Sequence, residues 1–191
     1  ESLPPDYTVE ERSALVSSLS YKPHPAVSAL GERVLDGLAP SGRSTPNFLS
    51  HLTSALSADH VSTVRPEGPP FDPEVTLETR EVSCRDLAVL FLAVCRSQGI
   101  AARFVSGYQA GDPGQSDRDL HAWAEAYLPG AGWRGYDPTL GLAVADAHVT
   151  VAAAPHWREA AAVSGTFRGT GAQSGMESRI DLTFERAGRP L

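Results

Sequence analysis

The chain has 191 residues, enough for one domain with a proper core, and its apolar content, charge content and three Trp are ordinary for a globular protein. A net charge of −7 argues against nucleic acid as a partner, and no apolar run reaches membrane-spanning length. The chain opens Glu1-Ser2-Leu3-Pro4-Pro5, with no Met and no charged-plus-apolar leader. A processed chain with residues upstream fits that start, and without a signal sequence to read the cytoplasm is the expected compartment.

In chain order, Val9 to Ser18 reads as a short helix, broken by Lys22-Pro23-His24-Pro25. Ala26 to Leu38 places Val27, Leu30, Val34 and Leu38 on one helical face. After the loop Ala39 to Gly42, Thr45-Pro46 opens a second helix, with Thr45 as N-cap and Pro46 at the first helical position. Its buried face is Phe48, Leu49, Leu52 and Leu56, and His51 on the edge of that face is expected to pack there, half-buried. Residues 59–82 hold Pro66, Pro69, Pro70 and Pro73 and lack helical periodicity, so an irregular connection is expected. So long a loop in a compact domain usually has a role, such as lining a site.

The most apolar helix follows. Ser83 is a good N-cap, and Asp86 completes a capping box with Asp in place of the usual Glu. Leu87, Leu90, Phe91, Val94 and Cys95 recur at helical spacing, and Gln98-Gly99 stops the helix. Cys84 thus sits in the first turn, where orphan N–H groups and the helix dipole favour a thiolate. A structural cysteine has no need of that place. Cys95 lies on the apolar face and reads as core. The two sulfurs cannot bridge: eleven residues of helix separate their Cα atoms by roughly 16 Å, against about 7 Å at most for a disulfide. This suits a reducing compartment.

Downstream the character turns to β. Ile100 to Tyr108 has strand composition, and Gln109 to Asp119 is a polar loop. Leu120 to Leu128 alternates strictly, with Leu120, Ala122, Ala124, Ala126 and Leu128 on one face and His121, Trp123, Glu125 and Tyr127 on the other. Pro129 to Gly132 is a turn, and Trp133 to Asp137 is a strand ended by Pro138. Val149 to Ala153 and Arg179 to Glu185 read as further strands, joined through a Gly/Thr/Ser-rich linker at 165–175. Helices first and a mostly antiparallel sheet after them make an α+β fold. The expected organisation is a single domain: a helical part at 1–82, a central part at 83–141 and closing strands at 142–191.

A cysteine nucleophile needs a base and a group that orients the base. Of six His, His121 stands out by sharing a strand face with Glu125 and two aromatics. Asp119 and Asp137 are the candidate orienters. A three-residue hairpin loop Leu128-Pro129-Gly130 pairs Tyr127 with Ala131. Counting outward from that pair sets His121 directly opposite Asp137, within hydrogen-bonding reach. His24, His60, His148 and His156 read as surface or loop residues. With no Cys-x-x-Cys pair, no zinc site is expected, and no cofactor is called for.

These residues carry a resemblance. Ser83-Cys84-Arg85-Asp86-Leu87-Ala88, the run Cys95 to Tyr108, His121-Ala122-Trp123-Ala124-Glu125 and Gly132-Trp133-Arg134-Gly135-Tyr136-Asp137-Pro138-Thr139 resemble the bacterial transglutaminase-like family, whose members are often described as cysteine proteases. The likeness runs through some fifty-five consecutive positions. Ser83 stands where the family often has Gly. The tail Val149 to Glu185 resembles the family's closing segment, with a departure at Ala154-Pro155-His156-Trp157. The resemblance implies a papain-like core, with the nucleophile helix packed on an antiparallel sheet or partial barrel. It implies Cys84 as nucleophile, His121 as general base and then acid, and Asp137 as orienter. It further implies acyl transfer on amide bonds through a thioester, with a protein or peptide as substrate. Arg85 is expected to help the thiolate, and Trp123 either lines the acyl channel or packs as a strand aromatic. The alternatives are a catalytically silent peptide-binding module of the same fold, and thioester chemistry with another acceptor, as in arylamine acetyltransferases.

Overall fold

A computed structural model of the chain describes residues 2–110 and 120–161, with isolated positions at 165, 168, 169, 175 and 180. The strand expected at Arg179 to Glu185 apart from position 180, most of the 165–175 linker and the alternative orienter Asp119 lie outside the described residues.

Helices lead. The first expected helix is two short ones, α1 (Val9–Ala14) and α2 (Val16–Leu19), and the Thr8 and Glu11 side chains close a capping box at the start of α1. α3 (Pro25–Asp36) and α4 (Thr45–Asp59) follow. The N-cap of α4 is Ser44, one residue before the expected Thr45, and its hydroxyl accepts from the Asn47 N–H. Thr45 is instead buried, donating its hydroxyl to the Ser2 carbonyl at 2.6 Å. A tertiary partner for Thr45 thus shifts the cap by one residue. His51 is exposed, since it lies off the inward face of α4, which carries Phe48, Leu49, Leu52 and Leu56 together with Thr45 and Thr53.

The connection read as irregular holds structure. β1 (Val61–Ser62) pairs in parallel with β2 (Glu81–Val82), and α5 (Pro73–Glu78) lies between them. Six residues make under two turns, too few for a hydrophobic period to appear in the sequence. His60 fastens this segment, with its two ring nitrogens on the Leu56 and Thr76 carbonyls at 2.9 and 3.2 Å.

α6 (Cys84–Ser97) is the centre of the molecule. Every residue from Asp86 to Cys95 except Val89 is buried. The helix packs α3, α4 and α5 on one side and the sheet on the other. Phe91 stacks on Tyr136 with ring centroids 5.8 Å apart. Burial of each such large side chain stabilises the fold by about 1.5–3 kcal/mol. Gly99 ends the helix at φ +70°, a left-handed position that suits glycine.

The sheet is antiparallel, in the order β6-β5-β4-β3-β7, formed by β3 (Ala102–Gln109), β4 (His121–Leu128), β5 (Gly132–Asp137), β6 (Leu142–Ala143) and β7 (His148–Ala154). Ala122, Ala124, Ala126 and Leu128 of β4 join the α6 core, as their alternation requires. The fold is α+β with a papain-like arrangement of helix on sheet. Among the described residues no helix is long and apolar enough to cross a membrane.

Candidate active site

Ser83 leaves β2 and caps α6. The Asp86 carboxylate turns back to it, accepting from the Ser83 N–H at 2.8 Å and the Ser83 hydroxyl at 2.6 Å. Its other oxygen accepts from Arg65 Nη2 at 2.6 Å and the Phe71 N–H at 2.7 Å. A fully buried carboxylate is thereby paired with a cation and three further donors, which offsets its desolvation. It ties the 59–82 connection to the first turn of α6, where Cys84 lies half-buried with its thiol free. Arg85 points back into the same connection, donating Nη2 to the Arg65 and Glu67 carbonyls. Its charge also lies near Asp86 and Cys84.

The β4–β5 register differs from the expected one. The turn lies one residue later, at Pro129 to Ala131, so Leu128 faces Gly132 and Ala124 faces Tyr136. Continuing that ladder sets Asp137 opposite Trp123, not His121. The displacement is an even number of residues, so it keeps the face and changes only the partner. His121 and Asp137 therefore meet as diagonal neighbours on the same face. His121 Nε2 donates to Asp137 Oδ2 at 2.7 Å. Asp137 is 0% exposed and His121 16%, so the ion pair is shielded from water.

The electrostatics follow from these contacts. Burial works against a charged His121 ring, but its hydrogen bonds to Asp137 and to Cys84 outweigh burial and raise it to about 10. Burial likewise opposes ionisation of Asp137, and the bonds from His121 and His148 overcome it and hold the carboxyl well below its ordinary range. At neutral pH the site thus holds an imidazolium between the Asp137 carboxylate and the Cys84 sulfur. With Nε2 committed to Asp137, the Nδ1 side of the ring is the one left for Cys84. Cys95 is fully buried, and burial pushes its thiol up, away from reactivity.

Cys84, His121 and Asp137 thus come together, from the start of α6, the start of β4 and the end of β5. Trp123 is 0% exposed and lies beside them, its ring centroid 6.0 Å from that of His121. It fills the space over Gly107, where a Cβ would lie 2.6 Å from the indole and collide with the Val149 carbonyl. Only glycine fits under that ring.

His148, which reads from sequence as a surface or loop residue, turns its side chain inward, where it is almost fully enclosed. It donates Nε2–H to Asp137 Oδ2 at 3.0 Å and meets Trp123 edge-on at 5.1 Å. Its only signal in the sequence is its place at the start of an alternating segment, and nothing there tells which strand that segment joins. One donor atom each from His121, Asp137 and His148 lies within 4.8 Å of the others. Both Nε2 atoms spend their protons on Oδ2, so a metal ion would first have to displace two hydrogen bonds.

A family model, the transglutaminase-like superfamily, matches residues 42–138, a span that holds Cys84, His121 and Asp137. The chain belongs to the transglutaminase-like superfamily. An uncharacterised protein of Mycobacterium leprae is 34% identical over 110 residues, covering 52% of this chain and 37% of that protein. The protein-glutamine gamma-glutamyltransferase of Pseudomonas aeruginosa is 37% identical over 73 residues, covering 35% of this chain and 11% of that enzyme. The chain therefore spans well under half the length of these relatives. Among solved structures, a Cytophaga hutchinsonii protein provisionally assigned as a cysteine protease superposes with a TM-score of 0.65 at 22% identity, over 84% of this chain and 53% of that one. The periplasmic domain of TgpA from Pseudomonas aeruginosa gives a TM-score of 0.52 at 25% identity, over 68% of this chain and 48% of that one. Superfamily members are typically enzymes, of cysteine-protease or transglutaminase type.

Proposed function

We propose that the protein is a thiol enzyme that transfers acyl groups from amide bonds of a protein or peptide, with Cys84 as nucleophile, His121 as acid and base, and Asp137 as orienter. The observation that carries this reading is the His121 ring held between a buried carboxylate and the thiol at the first position of α6.

The Cys84 thiolate attacks the amide carbonyl and forms a carbon–sulfur bond. The Cys84 N–H is an orphan donor of the helix N-terminus and stabilises the developing oxyanion. His121 gives its proton to the leaving amine, the carbon–nitrogen bond breaks, and a thioester remains. In the second half His121, now neutral, takes a proton from the acceptor as it attacks the thioester carbonyl, and the carbon–sulfur bond breaks to regenerate the Cys84 thiolate. Water as acceptor yields a carboxylic acid, and a primary amine yields a new amide. The name of the Pseudomonas relative favours a glutamine side chain as the acyl donor.

Iodoacetamide near neutral pH tests the nucleophile. Fast alkylation of Cys84 over Cys95, lost in His121→Ala, is expected. Slow and equal labelling of both cysteines would leave the silent peptide-binding module as the reading. A peptide pool incubated with and without a primary amine then separates the chemistries by mass. Loss of ammonia with amine incorporation marks a transferase, and fragments mark a protease.

A further inference from the structure

Asp137 is held from two sides. Its Oδ1 accepts from the Thr139 and Leu140 backbone N–H groups at 2.9 and 3.2 Å. Its Oδ2 accepts from two imidazoles, His121 at 2.7 Å and His148 at 3.0 Å. The first oxygen is a pivot on the backbone. The second must be stopped from swinging if it is to aim the His121 ring.

His148 is built to do that. Its side chain is only 2% exposed. Nδ1 is buried with no partner among the described residues, so the carboxylate is the ring's one polar contact among them. The ring's edge-on contact with Trp123, at an interplanar angle of 77°, fixes its plane. The reach is long in the sheet: β7 lies beyond β3 from β4, and His148 pairs with Gln109 while His121 pairs with Gly107. The missing side chain at Gly107 leaves room for the indole on which His148 leans. A buried polar ring costs free energy unless it is satisfied, and this one spends its single satisfied N–H on the atom that orients His121.

We infer that His148 is a positioning residue for the reaction proposed above: its Nε2–H locks the Asp137 carboxylate so that Oδ2 holds the His121 ring with its other nitrogen toward Cys84. The inference rests on the acyl-transfer reading and adds a fourth side chain to it, contributed by the closing strand. The second donor also shares the negative charge of Oδ2, which keeps the buried carboxyl ionised while it pairs with the imidazolium.

Two substitutions separate hydrogen bond from packing. His148→Phe keeps a ring against Trp123 and removes the donor. His148→Gln keeps a donor of similar reach and removes the ring. The readout is the rate of Cys84 alkylation by iodoacetamide, followed by mass spectrometry of the Cys84 peptide, in the whole chain. His148→Phe is expected to slow Cys84 by roughly ten- to a hundredfold, the scale of a misplaced reacting group, and His148→Gln to restore most of the rate. In a His121→Ala background His148→Phe should cost nothing further, because the residue acts only through that ring. An unchanged rate in His148→Phe would overturn the inference. So would a His148→Gln as slow as His148→Phe, or equal losses with and without His121. A wild-type Cys84 that labels slowly, or stays fast in His121→Ala, fails the acyl-transfer reading itself and leaves His148 nothing to position.

Discussion

The His121 ring serves two opposite needs. To sit beside a thiolate and later protonate a leaving amine it must be charged, yet burial penalises that charge. The Asp137 carboxylate, itself buried, resolves this by bonding the ring at 2.7 Å, and the ring is raised to about 10. The proton is therefore present through neutral pH and lost only in alkali. Two activities then part company. Amide turnover needs the proton, so it should fall by about tenfold per pH unit above the His121 midpoint, as a single ionisation dictates. Alkylation of Cys84 by iodoacetamide needs no proton donor and should not fall over the same range. Parallel pH profiles for the two, measured on an amide drawn from the peptide pool, would remove His121 from the general-acid role. At this scale the sequence is legible where chemistry is local. Cys84 declares itself by its place at a capped helix start, and His121 by the company on its strand face. His148 does not, because its meaning lies in a partner three strands along the sheet, and no spacing in the chain carries that contact.

The first turn of α6 shows how an element is held. Asp86 reads from sequence as a capping residue, and so it is, but half of its hydrogen bonding goes to Arg65 and Phe71 in the connection before β2. Arg65 in turn lies over the Phe71 ring at 4.2 Å. Asp86→Asn keeps the shape and removes the charge. It leaves the Arg65 guanidinium without its anion and turns one acceptor into a donor facing donors. A broken buried pair costs about 3–5 kcal/mol, and for a domain of this size each kcal/mol lowers Tm by roughly 2–4 °C. Thermal unfolding should therefore drop by roughly ten degrees on that scale. Cys84 labelling should also slow at temperatures where the variant is still folded, because the helix start is no longer fixed. A variant with unaltered Tm and labelling would mean that the connection is merely adjacent to the site. Periodicity locates the long helices and the alternating strand closely. It misses α5 and the two-residue strands, which are too short for any period. The hairpin turn lies one residue beyond the place its composition suggests, so Asp137, expected opposite His121, is found diagonal to it. The face survives that shift because strand faces alternate with period two.

At the scale of the molecule, the site joins parts that meet only in the folded chain: the start of α6, the start of β4, the end of β5 and the start of β7. Stability should then carry the signature of their charges. For His121 the folded value of about 10 lies above the ordinary 6.5, so its contribution is complete below pH 6.5 and is lost as pH rises toward 10. For Asp137 the folded value lies below the ordinary 3.8, so its contribution is present above pH 3.8 and is lost as pH falls beneath it. The two together predict a Tm plateau between roughly pH 4 and 6.5, with a decline on each side. The sides are separable. His121→Gln removes the group that loses its proton in alkali, so its alkaline decline should be shallower than that of the wild type, whatever its overall Tm. Asp137→Asn should flatten the acid side, and on the alkaline side it should move toward His121→Gln, since without the carboxylate only the Cys84 contact is left to raise the ring. The buried Tyr7 and its neighbour Tyr127, whose hydroxyls are also shifted upward, titrate in all three proteins and cancel in the comparison. Calorimetric scans of the three proteins across that range decide the matter. Alkaline slopes that stay parallel would show that the His121–Asp137 pair is not an ion pair in solution, and the proton that the proposed mechanism hands to the leaving amine would have to come from another group.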